Sequence, residues 1–300
     1  MNVQSGTKKD KNTNLVEITQ EQRKVAVVTG ANSGMGLATT VELINKGFHV
    51  IMACRSTQRG EEALQKAKQQ SNANRVELMK CDLGSLESIH TFADQFKQQY
   101  QTLDVLVNNA GVVSIKRETT AHGFESMIGV NHLGHFLLTN LLLEPLKNAK
   151  QGRIVVVSSG AHKVGKIHFE DPYLSKNFNV VKGYAQSKLA NILFIRELAT
   201  RLSTTSVTAN CVHPGAVGTS LGVNRNTGFG KSVHALLRPF FQTPTQGADT
   251  AVYLATSPEV ATISGEYFYK RKVAKISSKA KNKNLAEELW EWSEQEVDHS

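Results

Sequence analysis

A strand, a glycine turn, a helix and a second strand follow one another without interruption near the start of this 300-residue chain, and few folds accept that order. Lys24-Val25-Ala26-Val27-Val28-Thr29 is short, apolar and β-branched, as expected of a strand buried on both faces of a parallel sheet. It runs into Gly30-Ala31-Asn32-Ser33-Gly34-Met35-Gly36, and Leu37-Ala38-Thr39-Thr40-Val41-Glu42-Leu43 continues as a helical pattern. Phe48-His49-Val50-Ile51-Met52-Ala53 then reads as the second strand. Together they form a βαβ unit. Glycines let such a turn close tightly and let the backbone approach a pyrophosphate resting on the helix N-terminus. Gly30, Ser33, Gly34, Met35 and Gly36 are therefore expected to contact a dinucleotide.

The residue after the second strand tells which dinucleotide. An acid there would grip the ribose 2′-hydroxyl of NAD and repel a 2′-phosphate. This chain has Cys54-Arg55-Ser56 instead, and a guanidinium suits the phosphate of NADP. NADP(H) is expected in preference to NAD(H).

Helical and strand patterns keep alternating to about residue 269. Residues 61–70 read as a helix, 75–80 as a third strand and 85–100 as a helix with an apolar stripe at Leu86, Ile89, Phe92, Ala93 and Phe96. Strands at 103–107, 153–157 and 207–212, a long helix over 123–146, a last core helix at 248–255 and a short strand at 266–269 complete the pattern. This alternation predicts one α/β doubly wound Rossmann-type domain, with a parallel sheet of about seven strands and helices on both faces. Residues 1–22 are polar and mixed in charge, and read as a mobile tail ahead of a single domain spanning 23–300. Gly30, Arg55, Asp82, Asn109, Ser159 and Pro214 all follow strand ends. Ligands of open α/β sheets bind along that edge.

Composition excludes several classes. No apolar run is long enough to span a membrane, and the N-terminus lacks the hydrophobic stretch of a signal peptide. Cys54, Cys81 and Cys211 cannot build a disulfide framework and lack metal-ligand spacing, which points to a reducing compartment, the cytoplasm. The net charge of +9 is uneven: residues 270–283 carry seven basic side chains and no acid, ahead of an acidic, helix-like end. A solvated surface explains that stretch; contact with an anionic membrane surface is the second reading. No module or aromatic interleaving supports nucleic-acid binding. His132, His135 and His213 lack carboxylate partners and lie on different elements, so they read as structural and no metal is expected. No pattern specifies an oligomeric state.

The chemistry lies in Tyr184-Ala185-Gln186-Ser187-Lys188. Tyrosine and lysine four apart on a helix leave the same face as neighbours. A phenol has an unperturbed pKa of about 10, and a fixed ammonium beside it is expected to lower that value and make it a usable acid and base.

These motifs in this order resemble the short-chain dehydrogenase/reductase family over about residues 24–269. The matching stretches are residues 29–36, Asp82-Leu83, Asn108-Asn109-Ala110-Gly111, Asn131, Ser159, Tyr184 with Lys188, and Pro214-Gly215. Ala53-Cys54-Arg55, Val130-Asn131-His132-Leu133-Gly134-His135-Phe136, Ser187-Lys188-Leu189-Ala190-Asn191 and Leu289-Trp290-Glu291-Trp292-Ser293-Glu294 resemble its retinol dehydrogenase-like branch. The basic stretch before that last segment departs from the proline-containing version usual there.

The resemblance implies a tetrad of Asn131, Ser159, Tyr184 and Lys188. Tyr184 would exchange a proton with the carbonyl or alcohol oxygen, which Ser159 also holds. Lys188 would lower the Tyr184 pKa and grip the nicotinamide ribose, and Asn131 would hold a water leading to solvent. Ser158 is the alternative to Ser159, which the spacing to the tyrosine in that branch favours. Asp82 and Leu83 would contact the adenine side, Asn109 and Gly111 would flank the cofactor, Pro214 and Gly215 would also bind it, and Thr219 after them would bond the carboxamide. Simpler roles stand beside these: Asp82 as a helix N-cap, Asn109 as a tie between strand ends, Thr219 as a loop residue.

In this fold residues 217–244 would cover the substrate, and their Leu221, Val223, Phe229, Val233, Leu236, Leu237, Phe240 and Phe241 imply an apolar carbonyl or alcohol, unless they only pack the domain edge. The expected activity is therefore an NADP(H)-dependent oxidoreductase reducing an apolar aldehyde or ketone, or oxidising the matching alcohol. A non-catalytic NADP-binding redox sensor is the rival from another class; it would be expected to lose the tyrosine or the lysine, and both are present. A pigment-precursor reductase is the closer enzymatic rival, which tetrapyrrole binding would reveal.

Overall fold

β1 (Val25–Thr29) shows how the sheet is built. Val25 and Val27 face one apolar cluster, Ala26 and Val28 the other, and all four are buried. A strand alternates its side chains between faces, so a strand apolar throughout needs cover on both sides. The computed structural model describes residues 23–215 and 243–298. The expected tail at 1–22, nearly all of the expected cover at 217–244, and Thr219 lie outside the described residues.

Beyond β1 come α1 (Gly34–Asn45), β2 (His49–Cys54), α2 (Thr57–Ser71), β3 (Val76–Lys80), α3 (Leu86–Gln99) and β4 (Val105–Asn108). The second half holds β5 (Arg153–Val157), β6 (Thr208–His213), β7 (Tyr267–Tyr269) and β8 (Lys272–Val273). The sheet runs β3-β2-β1-β4-β5-β6-β7-β8. The first seven strands are parallel, and β8 pairs antiparallel with β7, Phe268 opposite Val273. Strand order reverses between β1 and β4, which opens a crevice at their C-terminal ends. The helices carrying Met35, Leu43, Ala63, Ala251 and Leu254 cover one face, and those carrying Phe92, Phe136, Leu189 and Phe194 the other. The fold is thus one Rossmann-like α/β domain.

Two stretches differ from expectation. The helix expected at 123–146 is broken into α4 (Ser126–Ile128), a π turn (Gly129–Leu133), α5 (Gly134–Leu141) and α6 (Leu143–Asn148). In the π turn Asn131 ties to another loop: its Oδ1 accepts from Val112 N at 2.8 Å and its Nδ2 donates to Val112 O at 3.1 Å. Such turns concentrate at functional sites. Pro145 lacks an N–H to continue α5 and sits in the first turn of α6, where none is needed.

The second difference is the basic stretch. Its lysines are mostly exposed, yet it contains β8 and a 3₁₀ turn at Lys279–Lys281, with Lys279 Nζ donating to Gly165 O at 3.0 Å. The C-terminal helix (Lys283–Asp298) buries Leu289 and Trp290, the latter with its ring centre 4.9 Å from Phe136. Among the described residues no helix is long and apolar enough to cross a membrane.

Candidate active site

The glycine turn is where the crevice begins. Gly30 has φ +63°, and a Cβ there would lie 2.9 Å from Ala110 Cα. A Cβ on Gly36 would come within 2.3 Å of Gly30 O and 2.5 Å of Asn109 Nδ2. The turn is therefore closed against β4 as tightly as backbone allows. Asn109 Nδ2 donates to Thr29 O at 2.8 Å, so Asn109 does tie strand ends together while it also lines the cleft. Thr29 Oγ1 accepts from the backbone N–H groups of Asn109 and Ala110 at 2.9 and 3.0 Å.

From this turn a cleft of about 320 Å³ follows the strand ends. It is lined by Gly30, Ser33, Gly34, Met35, Gly36, Arg55, Asp82, Leu83, Asn109, Gly111, Ser159, Tyr184, Lys188, Pro214 and Gly215. Every described residue expected at the site lines it except Asn131, which is fully buried just behind. A Cβ on Gly111 would sit 3.5 Å from Asn131 Oδ1 and 3.7 Å from Lys188 Nζ, which places the three together. A larger hollow of about 700 Å³ opens at the opposite end of the sheet, floored by Arg153. There Arg153 donates to Leu254 O and Ser257 O and so caps a helix C-terminus.

Asp82 is not the helix N-cap that the simpler reading gave it. Ser85 caps α3, accepting from Ser88 N at 3.2 Å, and Asp82 Oδ1 accepts from Gly84 N at 3.0 Å. Two residues absent from the expected set stand beside Arg55. Ser56 caps α2 and Arg59 lies in its first turn, and both line the cleft. Two guanidinium groups and the N-terminus of a 15-residue helix thus meet at one end of the cleft. The spacing Arg55-x-x-x-Arg59, with a serine cap between, was the signal available in the sequence.

At the other end α7 (Val180–Arg201) carries Tyr184 and Lys188 over the end of β5. Lys188 is 3% exposed, its Nζ donates to Val157 O at 3.1 Å and lies 5.6 Å from the centre of the Tyr184 ring. The choice between the serines is physical. Ser158 is buried and donates its hydroxyl to Lys188 O at 2.7 Å, inside the fold. Ser159 is half-buried, lines the cleft and shares a hydrogen bond with Tyr184.

The expected lowering of the Tyr184 pKa is not found. Burial raises it above the ordinary phenol value, opposed by the hydrogen bond from Ser159. Burial also brings Lys188 down from 10.5 to about 8. The reason is that the ammonium is itself desolvated and spends its hydrogen bond on a backbone carbonyl rather than on the phenol. At neutral pH the site therefore presents a protonated phenol beside a mostly protonated lysine.

His132, His135 and His213 each pack or hydrogen-bond within the fold. His135 is buried, its pKa lowered to about 4 by desolvation; it contacts Thr29 Oγ1 at 2.9 Å and Asn131 O at 3.1 Å. His132 lies 2.8 Å from Ser293 Oγ of the C-terminal helix, with its pKa down to about 3 by burial. His213 stacks on Tyr269 with ring centres 4.9 Å apart. No group of three or more acidic, histidine or cysteine side chains placed to hold a metal occurs among the described residues. Burial raises the thiols of Cys54 and Cys81 to about 11 and about 12, and that of Cys211 higher, so all three are inert at neutral pH.

A glycine-closed dinucleotide crevice running to a serine, tyrosine and lysine defines a nicotinamide-dependent oxidoreductase class, and comparison agrees. The chain belongs to the short chain dehydrogenase family, whose model matches residues 24–228. Within that family it is retinol dehydrogenase-like: it is 44% identical to mouse retinol dehydrogenase 14, over 90% of this chain and 85% of that protein. Human retinol dehydrogenase 11 is likewise 44% identical, over 90% of this chain and 84% of that protein. An uncharacterized protein from Mycobacterium paratuberculosis has the same fold, with a TM-score of 0.74 and 36% identity over 92% of this chain and 94% of its own. The protein is thus an oxidoreductase acting on alcohol or carbonyl groups.

Proposed function

We propose that this protein is an NADP(H)-dependent reductase of apolar aldehydes or ketones, running in reverse as an alcohol dehydrogenase, with Tyr184 as its general acid and base. The observation that carries the reading is one continuous cleft with Arg55, Ser56 and Arg59 at one end and Ser159, Tyr184 and Lys188 at the other. The retinol dehydrogenases it is similar to bear names that point to an apolar alcohol, and the reading extends that class to this chain.

The residues present fit the cofactor. The turn at Gly30 and Gly36 leaves no room for a Cβ, the cradle that a pyrophosphate needs. Arg55 and Arg59 would hold a 2′-phosphate by charge-assisted hydrogen bonds. Asp82 and Leu83 would border the adenine, Asn109 and Gly111 the ribose bridge, and Pro214 and Gly215 the nicotinamide; Thr219 belongs to the same proposal. When bound, the nicotinamide supplies or accepts hydride.

The protein's part is to place the substrate oxygen and manage one proton. Ser159 holds the oxygen in line, and Tyr184 donates its proton to it during reduction. The raised pKa suits that direction, because the phenol stays protonated at neutral pH. In oxidation the phenolate is required, so that direction gains with rising pH. Lys188 stabilises the phenolate once formed and would hold the nicotinamide ribose of the bound cofactor. The Asn131 amide nitrogen is spent on Val112 O and on Ser187 Oγ at 3.1 Å, so a water held by Asn131 towards Lys188 would donate to one of its two oxygens.

The test is consumption of NADPH and of NADH by purified protein against a panel of apolar aldehydes and ketones, with Tyr184→Phe alongside. The variant is expected to bind NADPH normally and to lose turnover. Unchanged turnover in Tyr184→Phe would refute the mechanism.

A further inference from the structure

Ser159 has one neighbour that the reading above does not use. The 3₁₀ turn Gly160–Val164 begins directly after it, and His162, two places inside, is fully buried. Residue 162 returns two hydrogen bonds to Ser159: its main-chain N–H donates to Ser159 O at 3.2 Å, and its Nδ1 lies 2.7 Å from the same oxygen. A carbonyl only accepts, so Nδ1 carries the proton and the tautomer is fixed. Nε2 is buried and has no hydrogen-bond partner among the described residues. The ring stands edge-on against Tyr267, centres 4.9 Å apart, so it has one place to sit.

We infer that His162 is a positioning residue for the reaction: by holding the Ser159 carbonyl it aims the Ser159 hydroxyl at Tyr184. The Ser159 hydroxyl oxygen already accepts from Ala161 N at 3.2 Å, which leaves its hydrogen to point at the phenol. Both contacts depend on the orientation of the Ser159 peptide, and the imidazole supplies the shorter of the two bonds that fix it. Burial lowers the His162 pKa, in keeping with a neutral donor. The inference rests on the reductase reading for its consequence, though not for its geometry.

Two substitutions of nearly equal size separate this role from mere filling of space. Asparagine carries an amide nitrogen about where the imidazole carries Nδ1; leucine carries none. His162→Leu is expected to lower kcat about tenfold or more with the Kd for NADPH unchanged, since a hydrogen bond that orients a reacting group acts on the barrier. His162→Asn is expected to stay within about threefold of the wild type, although both variants lose packing and melt lower. Equal losses in the two variants, or no loss in either, would overturn the inference.

A second readout needs no substrate. The phenol titration of Tyr184, taken as the difference spectrum against Tyr184→Phe, should move to higher pH in His162→Leu and stay in place in His162→Asn, because the Ser159 bond favours the phenolate. Wild-type protein inactive on every carbonyl would overturn the reductase reading instead, and this titration would still decide the role of His162. A titration that is the same in all three proteins would refute it.

Discussion

Replacing Lys188 by methionine removes a charge that the fold holds against its own stability. The side chain is 3% exposed, and its Nζ donates to one backbone carbonyl. Among the described residues no carboxylate forms an ion pair with it. A fall in pKa from 10.5 to about 8 corresponds to about 3 kcal/mol of disfavour for the buried ammonium. Losing the charged hydrogen bond to Val157 O gives back about 1.5–3 kcal/mol, and methionine fills nearly the same volume without a charge. Lys188→Met is therefore expected to be more stable at pH 7 by about 1 kcal/mol, or about 2 °C in melting temperature for a chain of this size, while losing turnover.

The sign with pH follows from the same numbers. Because the folded pKa lies below the unfolded one, the cost is fully present below about pH 8. Between there and 10.5 the folded protein sheds the proton that the unfolded chain keeps, so the wild type gains stability as pH rises. The advantage of the variant should be largest at neutral pH and shrink towards pH 10.5. Urea melts at pH 7 and pH 9.5 would measure both. A variant less stable at pH 7, or an advantage that widens with pH, would refute the reasoning.

Gly36→Ala pits two effects against each other: alanine gains about 1 kcal/mol in a helix, but its Cβ would lie 2.3 Å from Gly30 O, and overpacking against backbone costs about 1–3 kcal/mol. The variant should melt lower and bind NADPH at least about tenfold more weakly; a rise in melting temperature with unchanged binding would count against the closed cradle. Arg55→Asp should shift preference towards NADH, and Arg55→Asp with Arg59→Ala further still, read as the ratio of kcat/KM for the two cofactors; an unaltered ratio would remove the 2′-phosphate reading. The rate of alcohol oxidation relative to carbonyl reduction should climb above neutral pH as Tyr184 titrates, and a flat ratio up to pH 10 would argue against Tyr184 as the proton carrier.

Much of the fold was legible because local rules and global packing agree. β1 and β2 are apolar at every core position, since a parallel strand is buried on both faces, and their bounds in the structure shift by only a residue. The glycine turn was legible for a similar reason, because Gly30 and Gly36 admit nothing larger. The helix at 123–146 was not, because what breaks it is a distant loop: Val112 pairs with Asn131 across the π turn. β8 has no signature in the sequence because two exposed residues, Lys272 and Val273, carry no periodicity. Arg59 had a signal in its spacing from Arg55 across a serine cap, but only the packing of α2 brings its first turn to the cleft.

By itself, then, the sequence determined which residue types are available and the order of the elements: strand, glycine turn, helix, a tyrosine and a lysine four apart, serines at a strand end. Spacing along the chain is enough for these, because backbone geometry fixes periods of two and 3.6 residues. Tertiary structure alone decided how the chemistry is tuned. Ser158 turned inward and Ser159 outward because Lys188 O lay within reach of one hydroxyl and the cleft lay beside the other. The Tyr184 pKa rose rather than fell because desolvation depends on what packs over a side chain, and no one-dimensional pattern records that.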